Sequence, residues 1–219
     1  MRLAKRDRAN NNVNMEILIP LVMVGAFVLV VVLGIRNAAR MRREFARWVE
    51  ELGWTASSMT SWTTPLEASG VHAGRRGRVF SYTTGSGKSR TSWAAVELMA
   101  GPASGLELEL MRQHFGTKVA EWFGAKEIKV GDAAFDARWF IRTNRADYMA
   151  AALLLPEFRH RIEELAARGA RSMKLEIKAG RAIYSEQGVF NAPVRARLVE
   201  ALPVLADLAT LAEVESAAK

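Results

Sequence analysis

Four carboxylate side chains could together perform acid and base chemistry. Glu107 and Glu109 lie close together, and Asp132 and Asp136 follow later in the chain. Paired carboxylates act as general acid and base when one of them sits in a cleft that raises its pKa. Glu107 and Glu109 alternate with leucines, which favours the solvated face of a strand. Asp132 and Asp136 remain candidates for a structural role or, alternatively, for acid and base chemistry.

Residues 85–89 read Gly-Ser-Gly-Lys-Ser and resemble the end of a phosphate-binding loop. Such a loop needs a further glycine five positions before Gly87 and must open a helix. Tyr82 stands at that position, and residues 90–99 have the composition of a strand. We therefore predict a polar hairpin turn and no bound nucleotide.

Metal, thiol and serine hydrolase chemistry lack their usual residues. The chain has no cysteine, and His72, His114 and His160 are widely separated. A helical zinc site would place two histidines four positions apart, and a serine hydrolase would carry Gly-x-Ser-x-Gly. We predict no metal and no cofactor.

Five cations flank two predicted glycine turns, at residues 74–77 and 85–87. These turns are successive hairpin tips that could lie side by side, where the cations could contact anionic lipid headgroups or an acidic protein. Ordinary solvated turns are the interpretation that we favour. Residues 53–219 hold 22 Lys and Arg against 18 Asp and Glu, an excess too small to predict nucleic-acid binding. The five candidate surface-binding residues are Arg75, Arg76, Arg78, Lys88 and Arg90.

Residues 17–35 are uncharged and apolar. As a helix they would extend about 28 Å, which matches the hydrocarbon core of a bilayer. The apolar region of a cleaved signal peptide is shorter. We predict a single transmembrane helix at 17–35, preceded by a basic tail at 1–16.

Basic residues on both sides of this helix nearly balance the positive-inside rule. Met15 offers an alternative start, which would leave only the C-terminal flank basic. On that basis we expect the large domain in the bacterial cytoplasm, anchored to the inner membrane.

Residues 36–52 continue the helix as an amphipathic segment that ends before Gly53. Two alternatives stay open: an interfacial helix that contacts lipid headgroups, or a stalk that packs on its own domain. The candidate membrane-interface residues are Arg36, Arg40, Arg42, Arg43 and Trp48.

Residues 53–219 are expected to form one soluble α+β domain, in which an antiparallel sheet of hairpins packs against three to four helices. We predict strands at 78–84, 91–99, 106–110, 135–141, 173–177 and 181–185. Predicted helices cover residues 117–123, 145–154, 156–168 and 193–214, the last kinked at Pro203.

Three short passages of this domain resemble an uncharacterised bacterial family of membrane-anchored domains: residues 131–136 (Gly-Asp-Ala-Ala-Phe-Asp), 139–142 (Trp-Phe-Ile-Arg) and 151–156 (Ala-Ala-Leu-Leu-Leu-Pro). The resemblance implies a strand carrying the Phe-Asp pair, a helix ending at the Pro156 turn, an amphipathic helix and a late hairpin. It implies no activity, cofactor or catalytic residue. Phe135 is expected to be a core anchor.

Two functions follow from these patterns. The first is a single-pass, non-catalytic interaction or regulatory module whose partners are the bilayer, anionic lipid headgroups or a protein. The second is a membrane-tethered enzyme with an unrecognised carboxylate site such as Asp132 and Asp136. A deep pocket that gathers carboxylates and a histidine would favour the enzyme.

Overall fold

The computed structural model describes residues 4–57, 64–101, 105–112, 127–168 and 172–217. It divides into two compact units, Met1–Glu44, here called the anchor unit, and Phe45–Lys219, here called the main unit. The predicted helix at 117–123 lies outside the described residues.

One helix, α1 (Ala4–Glu51), begins in the anchor unit and ends in the main unit. It therefore includes most of the predicted tail, the predicted transmembrane segment and the predicted juxtamembrane helix. Gly53 follows its end with φ of +69°, the left-handed conformation that commonly terminates a helix. Within the part of α1 whose side chains are described, the apolar residues from Leu21 to Ile35 are exposed, with Leu21 at 68% and Phe27 at 69%.

The main unit contains one eight-stranded antiparallel sheet in the order β1-β2-β3-β4-β8-β7-β5-β6. Strands β1 to β4 form a meander, and the late hairpin β7–β8 is inserted between β4 and β5. The strands are β1 (Thr55–Ala56), β2 (Glu67–His72), β3 (Arg75–Thr84), β4 (Thr91–Met99), β5 (Leu108–Arg112), β6 (Trp139–Thr143), β7 (Met173–Lys178) and β8 (Arg181–Gln187).

Two hairpins use the same tight turn. Ala73 and Gly74 connect β2 to β3, Ala179 and Gly180 connect β7 to β8, and all four residues have positive φ. Two consecutive left-handed residues match the right-handed twist of paired strands and fix their register.

Four further helices belong to the main unit, which confirms an α+β fold with three to four helices packed on an antiparallel sheet. They are α2 (Ala133–Asp136), α3 (Ala146–Leu153), α4 (Pro156–Ala167) and α5 (Ala192–Ala217). Helix α5 extends through Pro203, whose side chain is exposed.

The described helices of the main unit pack on one face of the sheet. Along β4, Ala94, Val96 and Leu98 are buried on this face beneath α5. Trp139 of β6 donates a hydrogen bond from Nε1 to Glu163 of α4 at 2.9 Å. We call this the helix face, and the other side of the sheet the opposite face. Side chains alternate between the two along every strand.

The predicted strand at 135–141 is wrong in its first half. Asp132 accepts hydrogen bonds from the backbone N–H groups of Ala134 and Phe135, both at 3.0 Å, and so begins the short helix α2. The strand starts only at Trp139. Phe135 is 2% exposed, which confirms its prediction as a core anchor.

The predicted glycine turn at 74–77 is shorter than expected. Arg75 and Gly77 already pair within β3, and Arg78 lies inside that strand. In contrast, the turn predicted at 85–89 is confirmed, since a single 3-10 turn at Gly87–Ser89 connects β3 to β4.

Two glycines on neighbouring strands make room for Trp54. A Cβ at Gly70 would lie 2.2 Å from Trp54 Cγ, and one at Gly77 would lie 2.7 Å from Trp54 Cη2. Trp54 is buried at 6% exposure, so these glycines form the floor on which it packs.

We expect Gly70→Ala to lower the free energy of unfolding by about 1–3 kcal/mol, because the added methyl group overpacks the site. Denaturant unfolding followed by far-UV circular dichroism measures this change. Ser69→Ala, at an exposed position of the same strand, is the control and should stay within about 0.5 kcal/mol. Equal midpoints for the two variants would contradict the packing role of Gly70.

Candidate functional site

The opposite face carries charged side chains from most strands of the sheet. The register places Glu67, Arg78, Glu97 and Arg181 on one half of it, and Glu176, Lys174, Glu109 and Arg142 on the other. No described helix packs on this face. It is the principal polar surface of the main unit's described residues, and its geometry determines what chemistry is available.

The first half is organised around Glu97, whose side chain is 7% exposed. Arg78 donates to Glu97 Oε1 from Nε at 3.0 Å and also lies 3.5 Å from Glu67. Arg181 lies 3.8 Å from Glu97 Oε2. The Arg78 guanidinium also stacks over the Phe80 ring at 4.3 Å. Arg78, predicted as a surface-binding residue, is therefore engaged in the sheet's own ion pairs.

The second half is organised around Glu109, whose side chain is 12% exposed. Lys174 Nζ lies 2.6 Å from Glu109 Oε1, and Arg142 Nη2 lies 2.7 Å from Oε2. Lys174 also lies 2.9 Å from Glu176. Burial lowers the pKa of Lys174, but the charges of Glu176 and Glu109 outweigh it, and the net shift is upward.

A cleft of about 590 Å³ opens over this second network. Its wall includes acids and cations in equal number, together with the polar side chains of Thr143 and Asn144. Its lining residues include no histidine, and they include neither Asp132 nor Asp136. Its acids and cations balance in formal charge, and Glu109, Glu176, Lys174 and Arg142 are already paired with one another. Its charged residues are Glu107, Glu109, Glu176, Arg142, Lys174 and Lys178.

Asp132 and Asp136, the candidate acid and base, both bind backbone N–H groups. Asp132 caps α2 and pairs with Arg159. Hydrogen bonding from the Phe135 N–H, supported by the charge of Arg159, lowers the pKa of Asp132 although burial opposes it. Asp136 accepts from the N–H of Val130 at 2.9 Å and of Gly131 at 3.1 Å. This geometry supports the structural alternative for both residues.

The five candidate surface-binding cations do not form one surface. Arg75 and Arg76 lie at the β2–β3 turn, whereas Lys88 and Arg90 lie at the β3–β4 turn, at the other end of β3. A ten-residue strand is about 30 Å long, so the two turns are far apart. The two tips therefore do not lie side by side, because consecutive turns of a meander lie at opposite ends of the strands.

Arg75 joins β3 to the last helix. Its guanidinium contacts both carboxylate oxygens of Glu213, at 2.5 and 2.7 Å, and Thr210 Oγ1 at 3.1 Å. The Gly101 N–H also donates to Glu213, at 2.9 Å. The hydrogen bond from Arg75, followed by that from Gly101, lowers the pKa of Glu213 to about 2.

The candidate interface residues fall in different surroundings. Arg36, Arg40 and Arg43 are exposed in the anchor unit, where Arg40 pairs with Glu44 at 2.8 Å. Trp48 belongs to the main unit and is buried at 9% exposure. Its ring lies 6.0 Å from that of Phe190, an arrangement that fits the stalk packed on its own domain.

One buried charge cluster was missed from the sequence. Glu186 of β8 is 1% exposed and accepts from Arg197 of α5 at 2.8 and 2.9 Å and from the Tyr184 hydroxyl at 2.7 Å. Burial and the neighbouring Glu186 charge raise the pKa of Tyr184. The sequence signal was the alternation of side chains along the strand, which places Ala182, Tyr184 and Glu186 on one face. It was missed because the predicted strand stopped at Ser185.

No protein-family model matches the chain, and no curated protein matches it. The crystal structure of the mycobacterial trehalose monomycolate transport factor A is similar over 78% of this chain and 93% of that chain, with 12% identity and a TM-score of 0.49.

Replacing Asp136 tests whether it acts in structure or in chemistry. Asp136→Ala leaves two backbone N–H groups without their acceptor, and we expect a loss of about 1–3 kcal/mol of unfolding free energy. Asp136→Asn, which retains one acceptor oxygen, should lose less. The exposed Glu107→Ala is the matched control. An Asp136→Ala chain as stable as the wild type would contradict the structural role.

The Arg75–Glu213 pair predicts a defined pH dependence. Since the pKa of Glu213 is about 2 in the folded chain against an ordinary 4.5, its stabilisation is present above pH 4.5 and is lost as the pH falls towards 2. Glu213→Gln should therefore lower the Tm at neutral pH, and the difference from wild type should shrink on acidification. Tm measured against pH tests this, with the exposed Glu107→Gln as the control. A difference that is constant with pH would contradict it.

Proposed function

We propose that the protein is a single-pass, membrane-anchored module without catalytic activity, which presents its α+β unit for interactions at the membrane surface. The observation that carries this proposal is the exposure of α1. Residues Pro20–Glu51 form a helix long and apolar enough to span a membrane, and none of its most apolar window is buried. Exposed apolar area of this extent is costly in water and favourable in lipid.

Helix dimensions support a span close to the predicted residues 17–35. The exposed apolar side chains run from Leu21 to Ile35 without a charged residue, and Arg36 follows immediately. Arginines at the end of a span extend into the headgroup region. We therefore propose Arg36, Arg40, Arg42 and Arg43 as the interfacial residues.

The non-catalytic part of the proposal rests on how the charged groups are used. Asp132 and Asp136 hold backbone N–H groups, while Glu109 lies between Lys174 and Arg142. A catalytic carboxylate needs a reacting group within hydrogen-bond reach and a pKa near the working pH. These carboxylates are instead engaged by backbone N–H groups and by the cations beside them.

We propose that the main unit lies on the cytoplasmic side of a bacterial inner membrane. In a chain that starts at Met15, five arginines between residues 36 and 47 follow the span and no Lys or Arg precedes it. Positive residues close to a span are retained on the cytoplasmic side. Anionic lipid headgroups or an acidic protein would then be the accessible partners.

Integration into the bilayer is tested by one charge in the span. Phe27→Arg places a cation among exposed apolar residues, which costs about 2.5–3.5 kcal/mol of insertion free energy. We expect a reduced fraction of the chain to resist carbonate extraction from membranes, whereas Phe27→Leu should behave as wild type. Complete extraction of the wild-type chain would contradict membrane anchoring.

Orientation is tested separately with reporters fused after Lys219. One reporter is active only in the cytoplasm and the other only outside it, and both are fused to chains that start at Met1 and at Met15. We expect the cytoplasmic reporter to be active in both forms. Activity of the external reporter would overturn the orientation while leaving the anchoring intact.

A further inference from the structure

The chain enters the main unit at one particular end of the sheet. Phe45, the first residue of the main unit, packs on Phe190, with ring centroids 4.9 Å apart. Phe190 lies in the loop that follows β8. The Gly188 N–H in that loop donates to the Ser92 carbonyl at 3.0 Å, at the start of β4. The β8–α5 loop and the β3–β4 turn therefore lie side by side, and we call this end of the sheet the entry end.

The entry end has a distinctive surface. Lys88 and Arg90 are exposed on the β3–β4 turn, and Val189 is 49% exposed on the neighbouring loop. Residues 81–93 and 187–199, which comprise these two connections and the strand and helix residues that flank them, contain no Asp or Glu. The entry end is therefore cationic, with an exposed apolar side chain beside its cations.

At the other end of the sheet, two of the cations are already held by carboxylates. Arg75 is bound by Glu213, and Arg181 lies beside Glu97. No ion pair within the described residues involves Lys88 or Arg90. Charge at the entry end is thus available to an external anion.

We propose that the entry end of the main unit binds the surface of an anionic bilayer, with Lys88 and Arg90 contacting lipid phosphates and Val189 entering the headgroup layer. This inference rests on the proposed function, because it requires α1 to anchor the chain. The segment from Ile35 to Phe45, here called the tether, comprises ten Cα–Cα steps and can span at most about 36 Å even when fully extended. The tether therefore keeps the entry end at high effective concentration near the bilayer, and weak contacts suffice for occupancy.

The side chains of the entry end favour lipid over a protein partner. The β3–β4 turn is short and built from glycine and serine, so its cations can approach a flat array of phosphates closely. Val189 offers one small apolar group, suited to shallow insertion and too small for the hydrophobic centre of a protein interface.

The absence of cysteine allows a direct test on the full chain. A spin label at Ser86→Cys reports on the β3–β4 turn, and one at Val71→Cys, 62% exposed near the β2–β3 turn, reports on the other end. The full chain is reconstituted into phosphatidylcholine vesicles with or without phosphatidylglycerol. Label accessibility to a water-soluble nickel chelate is then measured. We expect phosphatidylglycerol to reduce accessibility at position 86 several-fold and to leave position 71 unchanged.

Charge variants identify the residues responsible. Lys88→Gln with Arg90→Gln should abolish the phosphatidylglycerol effect at position 86. Arg76→Gln with Lys178→Gln, which removes two exposed cations from the other end, should retain it. Unchanged circular dichroism confirms that the variants fold.

Two results would overturn the inference. One is an accessibility at position 86 that does not depend on phosphatidylglycerol in a chain that resists carbonate extraction, which leaves the proposed anchoring intact. The other is full protection in the Lys88→Gln, Arg90→Gln chain. Carbonate extraction of the wild-type chain would overturn the anchoring and the inference together.

Discussion

The buried ion pair between Glu186 and Arg197 determines how the last third of the chain is arranged. Glu186 is 1% exposed, and a carboxylate without water must be compensated by a partner that satisfies both of its oxygens. Arg197 and the Tyr184 hydroxyl provide that compensation. Any shift of β8 by one residue would turn Glu186 away from α5 and leave a charge unpaired. The pair therefore specifies both the register of β8 and the position of α5 above it.

From this arrangement the two faces of the sheet acquire different characters. Strand β8 lies between β4 and β7, so its register is transmitted to both halves of the sheet. Apolar residues then fall on the helix face, where α5 covers them. Alternation places the charged partners of Glu97 and Glu109 on the opposite face. The same alternation that builds the core thus also builds the polar surface and its cleft.

The meander separates charges that are neighbours in sequence. Each strand reverses direction, so the Arg75 and Lys88 turns lie at different ends of β3. Arg75 and Arg78 are drawn into ion pairs with α5 and β4, whereas Lys88 and Arg90 remain at the end where the chain enters the main unit. Folding in this way leaves Lys88 and Arg90 as the cations available for recognition close to the tether.

Local patterns in the sequence were sufficient for the apolar span, the antiparallel hairpins, the β3–β4 turn and the amphipathic helices α3 to α5. Each of these depends on periodicity or on turn residues within a few positions of one another. Sequence reasoning failed where the deciding contact was capping or long-range. Asp132 started a helix inside a segment with strand alternation, and the pairing of Arg75 with Glu213 joins residues at the two ends of the main unit. Only the tertiary structure decided three further features: the insertion of β7–β8 between β4 and β5, the burial of Glu186 and the separation of the cationic turns. The reason is that strand order and distance in space are properties of pairing between remote segments.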